Sequence, residues 1–180
     1  MCAKNERGFT LLELMVVVVI VILLAAVAMP NFESSFRFNR VNTVTNTLIA
    51  SLSLARSEAI RSHHQMGVCG SPDGQACGGN WSKGWIVWRD SNGNGAVDNG
   101  EDILNQSQAN PAIIITTQPD SAKFLFDRRG RTSATSVAEG LPYGQAIRLQ
   151  PRNCSPKETF QRTLRVNASG QINSVSGACT

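Results

Sequence analysis

Hydrophobic and polar positions divide this chain into three stretches with different patterns. From Phe9 to Met29 it reads FTLLELMVVVVIVILLAAVAM, 21 residues with Glu13 as the one charge. That length is close to the ~20 apolar residues a helix needs to span a bilayer. From residue 31 to 62 the pattern changes. Val41, Val44, Leu48, Leu52, Ala55 and Ala59 recur every three or four positions, with Asn42, Thr45, Asn46, Ser53, Arg56 and Ser57 between them. This spacing predicts an amphipathic helix that packs on another layer by one face. His63 and His64 end it, and adjacent histidines diverge at a helix end, so they read as a polar terminus. From Met66 onward helical periodicity is gone. Short β-rich runs (MGVC, GWIVW, AIIITT, KFLF, AIRLQ, TLRVNASGQI) alternate with turn residues and with Pro111, Pro119, Pro142, Pro151 and Pro156. No helical pattern separates the strands, so a mostly antiparallel sheet is expected. The fold class is α+β: one long N-terminal helix packed on a β-domain. The expected segments are 1–8, a leader; 9–30, a transmembrane helix; 31–65, an amphipathic helix; and 66–180, a β-rich globular domain.

Charge adds direction to this picture. Lys4 and Arg7 flank the apolar run, which predicts that residues 1–8 stay cytoplasmic while the C-terminal domain is exported. Ala25, Ala26 and Ala28 imitate a secretory cleavage site. An acid near the start of the run does not suit an ordinary signal core. A carboxylate in hydrocarbon costs ~2.5 kcal/mol or more, so Glu13 marks function. The stretch Gly8-Phe9-Thr10-Leu11-Leu12-Glu13 resembles the prepilin processing motif of type IV pilins and type II secretion pseudopilins. The resemblance implies cleavage after Gly8 by a prepilin peptidase and N-methylation of Phe9. It also implies a helix kept first as inner-membrane anchor, with a periplasmic C-terminal domain, and then as the core of a pilus or pseudopilus filament against other pilins. Pro30 stands where many pilins carry a kinking proline, and proline removes the bond to the carbonyl of Ala26 and bends the helix. In a bundle of such helices, Glu13 can neutralise the positive amine that cleavage creates on a neighbour's Phe9, and a paired buried charge sets register.

The segments ARSEAI (55–60), GVCGSPDGQAC, GWIVWRDSNGNGAVDNGEDIL and FDRRGR are similar to the H-type minor pseudopilin and minor pilin family (GspH/FimT/FimU-like). The family implies two β-sheets packed against the helix and a minor component that initiates or caps a filament. The leading expectation is a minor pilin of a type IV pilus. The alternatives are a DNA-binding pilin of natural transformation and a minor pseudopilin of type II secretion. DNA-uptake members end in a Gly-Arg-x-Arg element. Here Gln171 and Asn173 stand at the arginine positions of Ser169-Gly170-Gln171-Ile172-Asn173, which weighs against DNA.

Remaining motifs are weighed by their chemistry. Cys2 leaves with the leader, and Cys69, Cys77, Cys154 and Cys179 remain with no CxxC among them, which in an exported domain points to disulfides. Local closure, which has the lowest entropic cost, predicts the pairs 69–77 and 154–179. Asp90, Asn92, Asn94, Gly95, Asp98 and Glu101 fit the calcium-loop pattern D-x-[DN]-x-[DN]-G-x5-E, with oxygen donors at alternate positions. A strand-like segment precedes the loop, however, and NGNG is also a hairpin turn. Calcium is the one cofactor to consider. Residues 121–180 hold nine Lys/Arg against three Asp/Glu, densest at Arg128, Arg129 and Arg131, which suggests weak non-specific DNA affinity. Trp81, Trp85 and Trp88 read as core. No nucleophile motif, P-loop or dinucleotide fingerprint occurs, and no enzymatic activity is expected.

Overall fold

The computed structural model describes residues 9–108, 110–132 and 145–180, without the side chains of residues 27–32. The chain divides into two compact units, Met1–Arg37 and Phe38–Thr180. One 52-residue helix, α1 (Leu11–Ser62), contributes to both. In the first unit every described side chain from Phe9 to Ala26 is exposed. Among the described residues no helix is long and apolar enough to cross a membrane. The side chains described there stop at Ala26, while the apolar run of the sequence and the helical backbone both continue to Met29.

The second unit joins the rest of α1 to two four-stranded sheets. Its strands are β1 (Gln65–Gly70), β2 (Gly84–Asp90), β3 (Ile103–Gln108), β4 (Ile113–Gln118), β5 (Phe124–Phe126), β6 (Gln145–Pro151), β7 (Gln161–Val166) and β8 (Ile172–Gly177). The first sheet has the order β3-β2-β1-β5 and the second β4-β6-β7-β8. All their pairings are antiparallel. β3 was not anticipated: its residues ILNQSQ are polar and mostly exposed, so neither alternation nor burial announces it. It forms because β2 offers a ladder for it. TLRVNASGQI contains two elements, β7 and the start of β8, joined by a turn at Gly170 with φ +74°.

One core joins α1 to both sheets. Val41, Leu48, Leu52, Ala55 and Ala59 are fully buried and Val44 nearly so. They meet Met66, Val68, Trp85 and Val87 of the first sheet and Ile147, Leu149, Leu164 and Val166 of the second. Each Val, Leu, Ile or Met side chain among them contributes ~1.5–3 kcal/mol on full burial. Two polar residues share that face. Thr45, expected on the solvent side, is 3 % exposed, and so is Ser51, whose Oγ accepts the indole N–H of Trp85 at 2.9 Å. Trp85 and Val87 point toward α1. Ile86 and Trp88, on the opposite face of β2, join Cys69 in a second cluster covered by Cys77, Val97 and Leu125. Gly67, opposite Trp88 in the register, has no room for a Cβ, which would lie 2.2 Å from the indole. His63 ends α1 with φ 58°, the left-handed conformation that closes helices.

Candidate functional site

The first turn of α1 is built by its own sequence. Thr10 Oγ1 accepts the Glu13 N–H at 3.2 Å, and the Thr10 carbonyl accepts the Leu14 N–H at 3.2 Å. Thr10 is therefore the N-cap and Glu13 the third helical residue, the Thr-x-x-Glu spacing of a capping box, of which the bond from the Glu13 N–H to Thr10 Oγ1 is formed. The sequence reading assigned Glu13 to assembly alone; the capping signal stood in Thr10–Glu13. A carboxylate in the first turn also meets the positive end of the helix dipole. Around it Phe9 is 84 %, Leu11 79 % and Leu12 72 % exposed. The surface is thus one acid on a helix that is apolar on every side. Gly8, the other processing residue, lies outside the described residues. Pro30 lies within the span of α1, with its side chain among those not described.

The remaining candidates lie on the folded unit. An open pocket of ≈ 500 Å³, lined by His63, His64, Asp90, Asn92, Asp127 and Arg128 among others, brings the helix end, the calcium-like loop and the arginine turn to one place. Asp90 is 1 % exposed. Its Oδ1 accepts the N–H groups of Gly93 (2.8 Å) and Asn94 (3.1 Å). Its Oδ2 accepts the Gly95 N–H (2.8 Å) and the Gln65 amide (2.7 Å). Four donors thus saturate this carboxylate. Gly95 makes the geometry possible with φ +71°. Asp98 accepts the side-chain amides of Asn92 (2.8 Å) and Asn94 (2.7 Å), which hold its carboxyl below the usual carboxylate range. Glu101 accepts the N–H groups of Ser91 and Asp98. Each acid of the loop is therefore engaged by amides of the protein itself. Among the described residues, one trio of His, Cys, Asp or Glu donors converges within 4.8 Å: Cys154, Glu158 and Cys179. Its two sulfurs are joined in a disulfide, as are those of Cys69 and Cys77.

The three arginines of the turn differ in their surroundings. Arg131 makes a two-point ion pair with Asp127 Oδ2, through Nε at 2.9 Å and Nη2 at 2.8 Å. Asp127 Oδ1 accepts the backbone N–H groups of Arg129 and Arg131, both at 2.9 Å. Burial works to raise the Asp127 pKa, but the bonds to Arg131 and Arg129 and the Arg131 charge outweigh it and hold the carboxyl low. Arg128 and Arg129 are exposed. Asp73 Oδ1 accepts the Ser71 hydroxyl and the Gln75 and Ala76 N–H groups, which hold its carboxyl below the usual range.

Among solved structures, the type IV minor pilin FimU of Pseudomonas aeruginosa (strain PAO1) is similar with a TM-score of 0.53 at 17 % identity, over 75 % of this chain and 87 % of that one. The minor pseudopilin EpsH from the type 2 secretion system of Vibrio cholerae is similar with a TM-score of 0.50 at 14 % identity, over 76 % of this chain and 96 % of that one. At such identities the likeness establishes a shared pilin fold. Comparison with curated protein sequences gives no significant match. The prokaryotic N-terminal methylation motif matches residues 3–29. The family described as type II transport protein GspH matches residues 44–170, which is most of the chain and nearly all of the folded unit, so the chain belongs to the GspH family.

Proposed function

We propose that this chain is a minor pilin that helps initiate or cap a type IV pilus. On this reading it is held first in the inner membrane by a single span, with the β-domain in the periplasm, and then in the filament by the same helix. The observation that carries the reading is the exposed apolar surface of α1 from Phe9 to Ala26 with Glu13 at its start. Such a surface is unstable in water and needs lipid or other helices around it. Glu13 supplies the selectivity. In lipid its charge has no partner, whereas in a helix bundle a neighbour's Phe9 amine neutralises it. At ~4 Å and an effective dielectric of ~20, that attraction is worth about 4 kcal/mol before desolvation. Glu13→Val is expected to remain in the membrane and to enter filaments at least about tenfold less often, with Glu13→Gln similarly impaired because it keeps the shape and loses the charge. Immunoblots of sheared filaments against membrane fractions measure this, and normal incorporation of both variants would refute the pairing.

A second reading, a minor pseudopilin of type II secretion, is favoured by the family description of the matched domain. The same helix chemistry serves both. Loss of surface pili on deletion supports the first reading, and loss of protein secretion with pili intact supports the second. DNA affinity is proposed at the non-specific level, ~10⁻⁴–10⁻⁶ M, centred on Arg128 and Arg129, because Asp127 already takes the charge of Arg131.

A further inference from the structure

β8 closes one edge of the second sheet with the sequence INSVSG, six residues without charge or proline. Edge strands are ordinarily blunted by charge, proline, a bulge or a covering element. The other edges of this protein show such devices. β4 is capped by Ser82, whose hydroxyl donates to the Ile115 carbonyl at 3.1 Å and accepts the Ile115 N–H at 2.8 Å. β5 has three residues and continues into a bridge between Phe126 and Thr132. β3 is irregular against β2 between Val87 and Trp88. β8 instead keeps an unbroken register with β7 from Ile172 to Gly177. Asn173, Ser174, Val175 and Ser176 are exposed, so both faces of the strand are open. Among the described residues, the backbone of β8 bonds to β7 alone.

At the start of this edge, where Ile172 faces α1, lies an open groove of ≈ 470 Å³ lined by Ile49, Ser53, Arg56, Ser57, Ile60 and Ile172 along with Gln171. Ile60 is 46 % exposed. Among the described residues, Arg56 is the charged residue of the lining and no carboxylate lines the groove. Arg56 Nη2 donates to the Ser169 carbonyl at 3.2 Å, a neutral acceptor that fixes the guanidinium without neutralising it. A free backbone edge recognises an extended segment, isoleucines recognise apolar side chains, and a guanidinium held by a neutral carbonyl recognises a carboxylate.

We infer that β8 takes up an extended segment of a neighbouring filament subunit as an added strand. Alternate side chains of that segment enter the groove, an apolar one against Ile60 and Ile172 and an acidic one against Arg56. This rests on the reading of the chain as a filament subunit. The test uses the full chain in cells that assemble the filament, with a photo-crosslinking residue in place of Ser174 and, as control, of Asn105 on β3. The expected result is a crosslink from position 174 to an extended segment of another subunit bearing the N-terminal methylation motif, well above that from position 105. Arg56→Glu should reduce it more than about tenfold, since like charge then faces the acid. Because that change also removes the bond to Ser169, Val175→Lys, which adds a charge to the edge strand from its opposite face, provides an independent variant with the same expected loss. Chain present in filaments without a crosslink from 174, or with one to a helical segment, would overturn strand addition alone. Chain absent from filaments would overturn the filament reading together with this one.

Discussion

The hydrogen bond between Ser51 and Trp85 fastens α1 to the first sheet, and its removal has a calculable effect. Both residues are 3 % exposed, and the indole N–H reaches Ser51 Oγ at 2.9 Å. Ser51→Ala leaves that donor buried without an acceptor, which costs ~1–3 kcal/mol. Ser51 Oγ also donates to the Thr47 carbonyl at 3.1 Å, but that carbonyl is a helix acceptor and loses little. Alanine returns up to ~0.5 kcal/mol through its higher helix propensity. The net destabilisation is about 0.5–2.5 kcal/mol, or roughly 1–10 °C in melting temperature for a domain of this size. Near-ultraviolet circular dichroism of the full chain in detergent micelles gives the melt. The partner variant Trp85→Phe removes the donor, so in Ser51→Ala/Trp85→Phe the unsatisfied group is gone. The double variant is therefore expected to be less destabilised than the sum of the singles by about 1–2 kcal/mol. A wild-type melt for Ser51→Ala, or strict additivity in the cycle, would show that the bond does not hold α1 to the sheet.

Other outcomes follow from the same geometry. The Asp127 carboxyl is held below its ordinary value in the folded chain, so the stability it contributes is present above the unfolded pKa of ~3.9 and is lost as pH falls through the lower folded value. Acid titration followed by circular dichroism should show this limb, and Asp127→Asn should flatten it. Calcium chelation is expected to leave the melting temperature unchanged within about 2 °C, because four N–H donors already saturate Asp90. A clear rise in melting temperature at millimolar calcium would assign the loop to the metal. Mass spectrometry of the N-terminal peptide should find N-methylated Phe9, and a start near Ala28 would sink the pilin reading.

The fold class was legible because its signals are periodic. The three-and-four spacing of Val41 to Ala59 marks one buried face, and every one of those positions is buried. The β-rich runs fall on β1, β2, β4, β5, β6 and β7, because β-branched and aromatic residues cluster in strands with at least one buried face. What escaped was polar. Thr45 and Ser51 look like solvent residues by type, yet short hydroxyls fit a helix–sheet interface, and Ser51 meets an indole there. β3 escaped because an exposed edge strand owes its shape to a neighbour's ladder and needs no apolar pattern. At the site, Glu13 was visible as an anomalous charge, while its place in a capping box depends on where the helix starts, which the apolar run does not fix. The calcium pattern in residues 90–101 was legible as a spacing, but a spacing does not reveal that Asp90 points at its own loop amides. Likewise, the cluster Arg128–Arg131 reads as three like charges until Asp127 is seen to bind one of them.

The change of pattern along α1 explains how one helix can serve two surroundings. From Val41 onward a single face is buried, which a two-sheet domain can cover. From Leu11 to Ala26 the helix is apolar all round, and covering it needs lipid or several helices. Hydrocarbon and a helix bundle are about equally apolar, so moving the segment between them gains little hydrophobic energy. On the proposed reading, the group whose energy differs between the two is Glu13, unpaired in lipid and neutralised by a neighbour's amine in a bundle. On the proposed reading, the apolar residues make the segment insoluble in water and indifferent between membrane and filament, and the one carboxylate tips the balance toward assembly. Adding apolar residues to the segment should then strengthen membrane retention without improving incorporation, whereas removing the acid should lower incorporation at least about tenfold without releasing the chain from the membrane.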